Sequence, residues 1–254
     1  MNKKGAVFFM PVLFLIVLGV FGFFLYSDNT HKIKDRYNLL GIGQNEVINT
    51  YNEGEKALLY LDESVKLSLN KALINVNGID IGCSITKGYS FVYSKGKECY
   101  LEGDNLNKAF GTALNAELDK FLKQYDDLEI PSNSYDVKII LNKGSIIKGE
   151  NNKQIEVKKE GINYMIKNNF NVKMNYDFSD FIDNNKKIKE LVIKCADNDK
   201  CWSDNIDKKW KITKEGKVFM FDINTGKMFK SYDQDNDVEL ILKMAVDMNN
   251  PLGK

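Results

Sequence analysis

The 21 residues from Ala6 to Tyr26 contain no charged side chain, and this run constrains the chain more than any other feature. As a helix rising 1.5 Å per residue it spans about 31 Å, close to the roughly 30 Å hydrocarbon thickness of a bilayer. A buried core helix and a cleaved secretory signal are the competing readings. The run exceeds the usual apolar segment of a signal peptide, and Phe24-Leu25-Tyr26-Ser27 lacks a small-x-small cleavage pattern. Pro11 falls in the first turns, where its ring and missing N–H cost least. Phe8, Phe9, Phe21, Phe23, Phe24 and Tyr26 place aromatic bulk toward the two interfaces. The sequence predicts a short cytoplasmic tail over residues 1–5, a transmembrane helix over 6–26, and the lipid bilayer as a partner through that helix.

Orientation rests on cysteine, because the flanking charges nearly cancel: Lys3 and Lys4 precede the run, and Lys32, Lys34 and Arg36 follow it. The four cysteines are grouped locally, Cys83 with Cys99 and Cys195 with Cys201. Two local disulfides suit an oxidising exterior. On the chain-entropy estimate they stabilise the fold by roughly 2 to 3 kcal/mol each. A four-cysteine zinc site is the rival reading, but neither pair has CxxC-like spacing and no histidine lies nearby. The expectation is a single-pass protein of the cell membrane with its C-terminal domain outside.

Beyond the run, apolar residues at Val47, Ile48, Tyr51, Leu58, Leu61, Val65, Leu69, Ala72 and Leu73 recur at helical spacing. They predict a helical stalk over residues 27–77. Gly41, Gly43 and Gly54 each weaken a helix by about 1 kcal/mol relative to alanine, which predicts a bent or interrupted stalk. Residues 79–101 read as strand with a turn at Ser94-Lys95-Gly96-Lys97, and a helix follows to about Tyr125 with Leu106, Phe110, Leu114, Leu118 and Leu122 on one face. Strand patterns then cover 137–141, 145–148, 154–157 and 162–176, a helix runs to about Ala196, and residues 210–229 read as strands around Asn224-Thr225-Gly226. An amphipathic segment, Val238 to Met248, closes the chain. Helices and strands are segregated, so residues 78–254 are expected to form an extracytoplasmic α+β domain with packed helices on a mainly antiparallel sheet.

Chemistry is limited by what is missing. His31 is the sole histidine and adjoins the apolar run, so a triad, a Cys-His pair or an HExxH site cannot be assembled in the domain of one chain. Ser68-Leu69-Asn70-Lys71 matches SxxK and Ser203-Asp204-Asn205 matches SDN, the elements of penicillin-recognising enzymes. SxxK recurs at Ser84 to Lys87 and Ser94 to Lys97, and KTG is missing. Acidic clusters at Asp197, Asp199, Asp204 and at Asp233, Asp235, Asp237, Glu239 resemble calcium ligands in spacing, yet lack the glycine of an EF-hand loop. Gly41-Ile42-Gly43 is only a fragment of a dinucleotide fingerprint. A carboxylate pair for glycoside hydrolysis cannot be chosen among 35 acids from sequence. With a net charge of +1 no global field favours nucleic acid. No catalytic residue, cofactor or metal is expected.

The opening Lys3-Lys4-Gly5-Ala6-Val7 followed by the apolar run resembles the class III, prepilin-type signal of archaeal surface proteins. That resemblance implies cleavage after the glycine, with the helix retained in the mature subunit, although the acidic residue many pilins carry early in the helix is absent. The whole layout is similar to membrane-anchored surface proteins of small-genome archaea, which implies a location and no activity. The leading expectation is a non-enzymatic envelope protein that binds another envelope protein or a surface polymer. The alternatives are a pilin-like surface subunit and a membrane-tethered hydrolase of cell-surface material using carboxylates.

Overall fold

The computed structural model describes residues 4–80, 82–132, 134–141, 144–159, 161–195, 198–230 and 236–249, with backbone alone at 4–14, 24, 28–42 and 199. One helix, α1 (Lys4–Asn75), dominates the N-terminal third and ends in a 3-10 turn (Val76–Gly78). The expected interruption at Gly41, Gly43 and Gly54 does not occur. A glycine keeps its backbone hydrogen bonds, so its cost of about 1 kcal/mol weakens a helix without ending it. Among the described residues, no helix is long and apolar enough to cross a membrane. Of the uncharged run, side chains are described only for 15–23, 25 and 26, about 18 Å of helix.

The chain divides into two compact units, residues 1–53 with 158–164, and residues 54–157 with 165–254. In the first unit Tyr51 and Tyr164 pack with ring centroids 5.7 Å apart. Lys159 there pairs with Glu53 at 2.5 Å.

The second unit is α+β. Strands β1 (Ile85–Thr86), β2 (Tyr89–Ser94) and β3 (Lys97–Glu98) precede helix α2 (Gly103–Leu122). Then come β4 (Asp136–Leu141), β5 (Ser145–Glu150), β6 (Ile155–Lys159) and β7 (Ile162–Ile166), whose residues 158–164 belong to the first unit, and β8 (Asn169–Met174). The order closes with α3 (Ser179–Cys195), α4 (Asp199–Asp204), β9 (Trp210–Glu215), β10 (Val218–Lys230) and β11 (Asp237–Asp247). The largest sheet has the order β1-β2-β11-β10-β9 with β3 against β2; β4-β5-β8 forms a second sheet and β6-β7 a hairpin. In the two larger sheets the strand pairs are antiparallel except β11 with β2, so the sheets are mainly antiparallel.

Two strand assignments differ from the sequence pattern. Residues 162–176 split into β7 and β8. The turn expected at Asn224-Thr225-Gly226 is a bulge inside the unbroken β10, and the chain reverses instead between Glu215 and Val218, where Gly216 adopts φ +59°. At the bulge Asn224 Oδ1 accepts the Gly226 N–H at 2.7 Å, so a turn-forming dipeptide is absorbed into a strand.

Burial follows periodicity. In α1, Ala57, Leu61, Val65, Leu69, Ala72 and Leu73 are at most 3% exposed. The inner face of the large sheet carries Phe219 and Phe221, and the Trp202 ring stacks on Phe219 at 4.4 Å. The Cys195–Cys201 disulfide ties α3 to α4 beside that tryptophan. On the opposite face, Met220 and Ala245 pack with Phe91 against the Cys83–Cys99 disulfide. The two bridges join the pairs that sequence proximity suggested.

The second sheet has one position where only glycine fits. Gly149 lies opposite Phe170 in the register, and the Phe170 ring occupies the space a Cβ would take. We expect Gly149→Ala to destabilise the fold by about 1–3 kcal/mol in urea unfolding, and Phe170→Ala in the same chain to relieve part of that cost. Strict additivity of the two changes would refute the contact. Serine at both Cys83 and Cys99 should cost roughly 3 kcal/mol, read by the same measurement.

Candidate functional site

Two surface concavities are the places where side-chain chemistry converges. The first, ≈340 Å³, lies between α2 and β4 and is lined by exposed Asp104, Lys108, Thr112, Asp136 and Lys138 around buried Gly111 and Val137. Three α2 residues spaced four apart build its wall. Asn107 Oδ1 accepts the Ile139 N–H at 2.9 Å. A Cβ on Gly111 would lie 3.1 Å from that of Val137, so glycine lets helix and strand approach. Asn115 brackets Tyr135, accepting its N–H at 3.2 Å and donating to its C=O at 2.9 Å. The α2 amides therefore cover the free edge of β4, an edge strand that would otherwise offer unpaired backbone groups.

Tyr135 anchors the other end of this arrangement. Its hydroxyl donates to Asn168 Oδ1 at 2.5 Å, and Asn168 Nδ2 donates to the Pro131 carbonyl at 3.0 Å. Burial pushes the Tyr135 phenol well above its usual range, with the Asn168 hydrogen bond opposing the shift. The amides in this groove that meet the backbone are committed to structure.

The second concavity, ≈210 Å³, lies along α3 and is lined by Asp180, Asp183, Lys187, Asp207, Trp210 and Asn224, among others. An adjoining one of ≈160 Å³ shares Lys187, Asp207 and Trp210 with it. Asp180 and Asp183 are one helical turn apart on the same element, so their carboxyls stand side by side rather than across a cleft. Asp207 lies 3.9 Å from Lys187. Hydrolysis of a glycosidic bond requires two carboxyls facing each other across the scissile bond. The carboxyl that burial raises, Asp62, with Lys66 opposing the shift, lies on α1 and lines neither concavity.

The motif serines Ser68 and Ser203 are engaged in local hydrogen bonds. Ser68 is fully buried and its hydroxyl donates to the Ser64 carbonyl at 2.7 Å, the habit of a helical serine rather than a nucleophile. Ser203 is exposed on α4 and donates to the Lys200 carbonyl at 2.9 Å. Ser84 and Lys95 have positive φ in the loops that flank β1 to β3. Of the acidic clusters, Asp197, Asp233 and Asp235 and the side chain of Asp199 lie outside the described residues. Glu239 accepts from Asn224 Nδ2 at 2.6 Å. Among the described residues no group of three His, Cys, Asp or Glu is placed to hold a metal. The side chain of His31 and residues 1–3 of the signal-like opening also lie outside them.

Sequence reasoning missed the asparagines. Asn77 and Asn185 act as Asn115 does. Asn185 accepts from the Leu101 N–H and donates to the Leu101 C=O, both at 3.3 Å. Asn77 accepts from the Lys243 N–H at 3.2 Å and donates to the Ile241 C=O at 3.0 Å. Their local signal is that of turn residues, and their partners are 84 and 164 to 166 positions away. Asn115→Ala should remove two backbone partners and destabilise the fold by about 1–3 kcal/mol in denaturant titration. A change within about 0.5 kcal/mol, typical of a surface site, would mean that water replaces the amide. Comparison with protein-family models, with curated proteins and with solved structures returns no match for this chain.

Proposed function

We propose that this chain is a single-pass membrane protein whose disulfide-bonded α+β unit lies outside the cell, as a non-enzymatic binding or structural component of the envelope. The observation that carries this reading is the uncharged run of residues 6–26 at the start of α1. Leu15, Ile16, Val17, Leu18, Val20, Phe21, Phe23, Leu25 and Tyr26 are each between 50% and 71% exposed. Apolar side chains at least half exposed along a helix are suited to lipid and unsuited to water. The two disulfides support an oxidising compartment for the rest of the chain. A binding role, with an envelope protein or a surface polymer as partner, is supported by concavities whose placed groups serve structure rather than reaction.

The test is alkaline carbonate extraction of membranes containing the full chain, followed by intact mass after alkylation with and without reduction. The anchored exterior reading expects the chain to stay in the pellet and all four cysteines to alkylate only after reduction. Release into the supernatant refutes the anchor. Alkylation of four cysteines without reduction refutes the exterior placement. Loss of residues 1–5 from the mass would turn the envelope role toward a pilin-like subunit.

A further inference from the structure

One residue pair in the second unit carries a chemistry that the fold holds closed. Asn77-Gly78 is the sole Asn-Gly step of the chain. Asparagine before glycine is a labile step, because glycine has no Cβ to keep its nitrogen away from the preceding carboxamide. The Gly78 nitrogen attacks Cγ of Asn77, the Cγ–Nδ2 bond breaks, and the amide proton leaves with the departing ammonia, so that a cyclic succinimide remains. Water then opens that ring at either carbonyl, giving aspartate or an isoaspartate whose backbone runs through the side chain.

In the folded unit this route is blocked at every group it needs. Asn77 is 6% exposed. Its Nδ2 donates to the Ile241 carbonyl at 3.0 Å and its Oδ1 accepts the Lys243 N–H at 3.2 Å, so β11 holds the carboxamide through both of its polar atoms. The Asn77 carbonyl accepts from the Ser90 hydroxyl of β2, and the Ile79 N–H donates to the Val76 carbonyl at 3.3 Å. With side chain and backbone both fixed, Cγ cannot swing onto the Gly78 nitrogen. The glycine itself serves none of these contacts. Gly78 is not among the glycines at positive φ, and a Cβ there would meet nothing within 4 Å among the described residues. Alanine would fit, so the geometry of the turn does not require the reactive pair.

We propose that Asn77-Gly78 is a latent deamidation site, closed while the end of α1 sits against β2 and β11 and reactive once it leaves them, and that its conversion bars the chain from refolding. A carboxylate at position 77 has no donor for the Ile241 carbonyl and sets oxygen against oxygen there. Isoaspartate lengthens the backbone between Val76 and Gly78 and displaces the contacts on either side. A chain that opens briefly closes again unchanged, whereas one that stays open is marked. The site records time spent unfolded.

The experiment compares the full chain with G78A, both purified in mild detergent with their disulfides intact and held in mildly alkaline buffer with or without urea. Peptide mapping by mass reads the amide-to-acid conversion at Asn77. The unmodified chain is expected to convert about a hundredfold faster in urea than folded, because reaction requires this segment to open. In urea G78A is expected to convert roughly tenfold more slowly, since a Cβ shields the attacking nitrogen. Equal rates with and without urea, or no conversion in urea, overturn the closed site. After a long incubation the urea is diluted, and near-ultraviolet circular dichroism reads the return of Trp202 to its stack on Phe219. G78A should recover while the converted chain should not. Equal recovery of the two, at any level, shows that conversion does not bar refolding and overturns the proposal.

Discussion

Small sheets have many ends, and every buried backbone N–H and C=O at those ends must find a partner. In the second unit that requirement is met by asparagine. Three of the helices dock through one side-chain amide that copies the donor and acceptor of a missing strand: Asn77 after α1 against β11, Asn115 of α2 at Tyr135 before β4, and Asn185 of α3 against Leu101. A primary amide suits this role because it presents one acceptor and two donors on a short stem, whereas a carboxylate would set like against like at the carbonyl. Asn77 and Asn185 are 6% and 1% exposed, so water does not compete for them. The heavy use of asparagine in this chain thus has a physical use at these sites, and the apolar layers pack around positions that the amides fix.

Much of the fold was legible because it depends on local periodicity. The apolar faces of α2 and α3 and the alternation in β4 and β5 appear in the sequence close to their observed limits. What could not be read depends on distance. Asn224-Thr225-Gly226 has the composition of a turn, yet Thr225 Oγ1 donates to the Leu240 carbonyl at 2.9 Å and Asn224 Nδ2 to Glu239, which holds the segment in β10 as a bulge. The asparagine brackets have no local signature, since an Asn that closes a turn and one that docks a helix look alike in sequence. The glycines of α1 do not interrupt it, because a propensity cost of about 1 kcal/mol lowers helix population without specifying a break.

The candidate site was legible mainly through exclusion. The sole histidine adjoins the apolar run, and Ser68 of the first SxxK match is buried with its hydroxyl donating to the Ser64 carbonyl. Acid pairs needed coordinates. Asp180 and Asp183 share one face of α3, and Asp207 has a lysine within 3.9 Å, so proximity of acids in that concavity does not make an opposed pair.

The two faces of the large sheet connect the fold to its surroundings. On the inner face the Trp202 ring of α4 stacks on Phe219, while on the outer face Met220 and Ala245 cluster with Phe91, Cys83 and Cys99. There the Cys83–Cys99 bridge and the loop it closes lie over the sheet, with Asp80 Oδ1 accepting the N–H groups of Gly82 and Ser84 and Lys97 Nζ donating to the Gly82 carbonyl. A short loop can shield an apolar cluster in this way only while its ends are held together, because the hydrogen bonds within it are exposed and individually weak. Reduction would leave Met220 and Phe91 behind a loop free to open, so the cover of this face is tied to an environment that keeps the bridge oxidised.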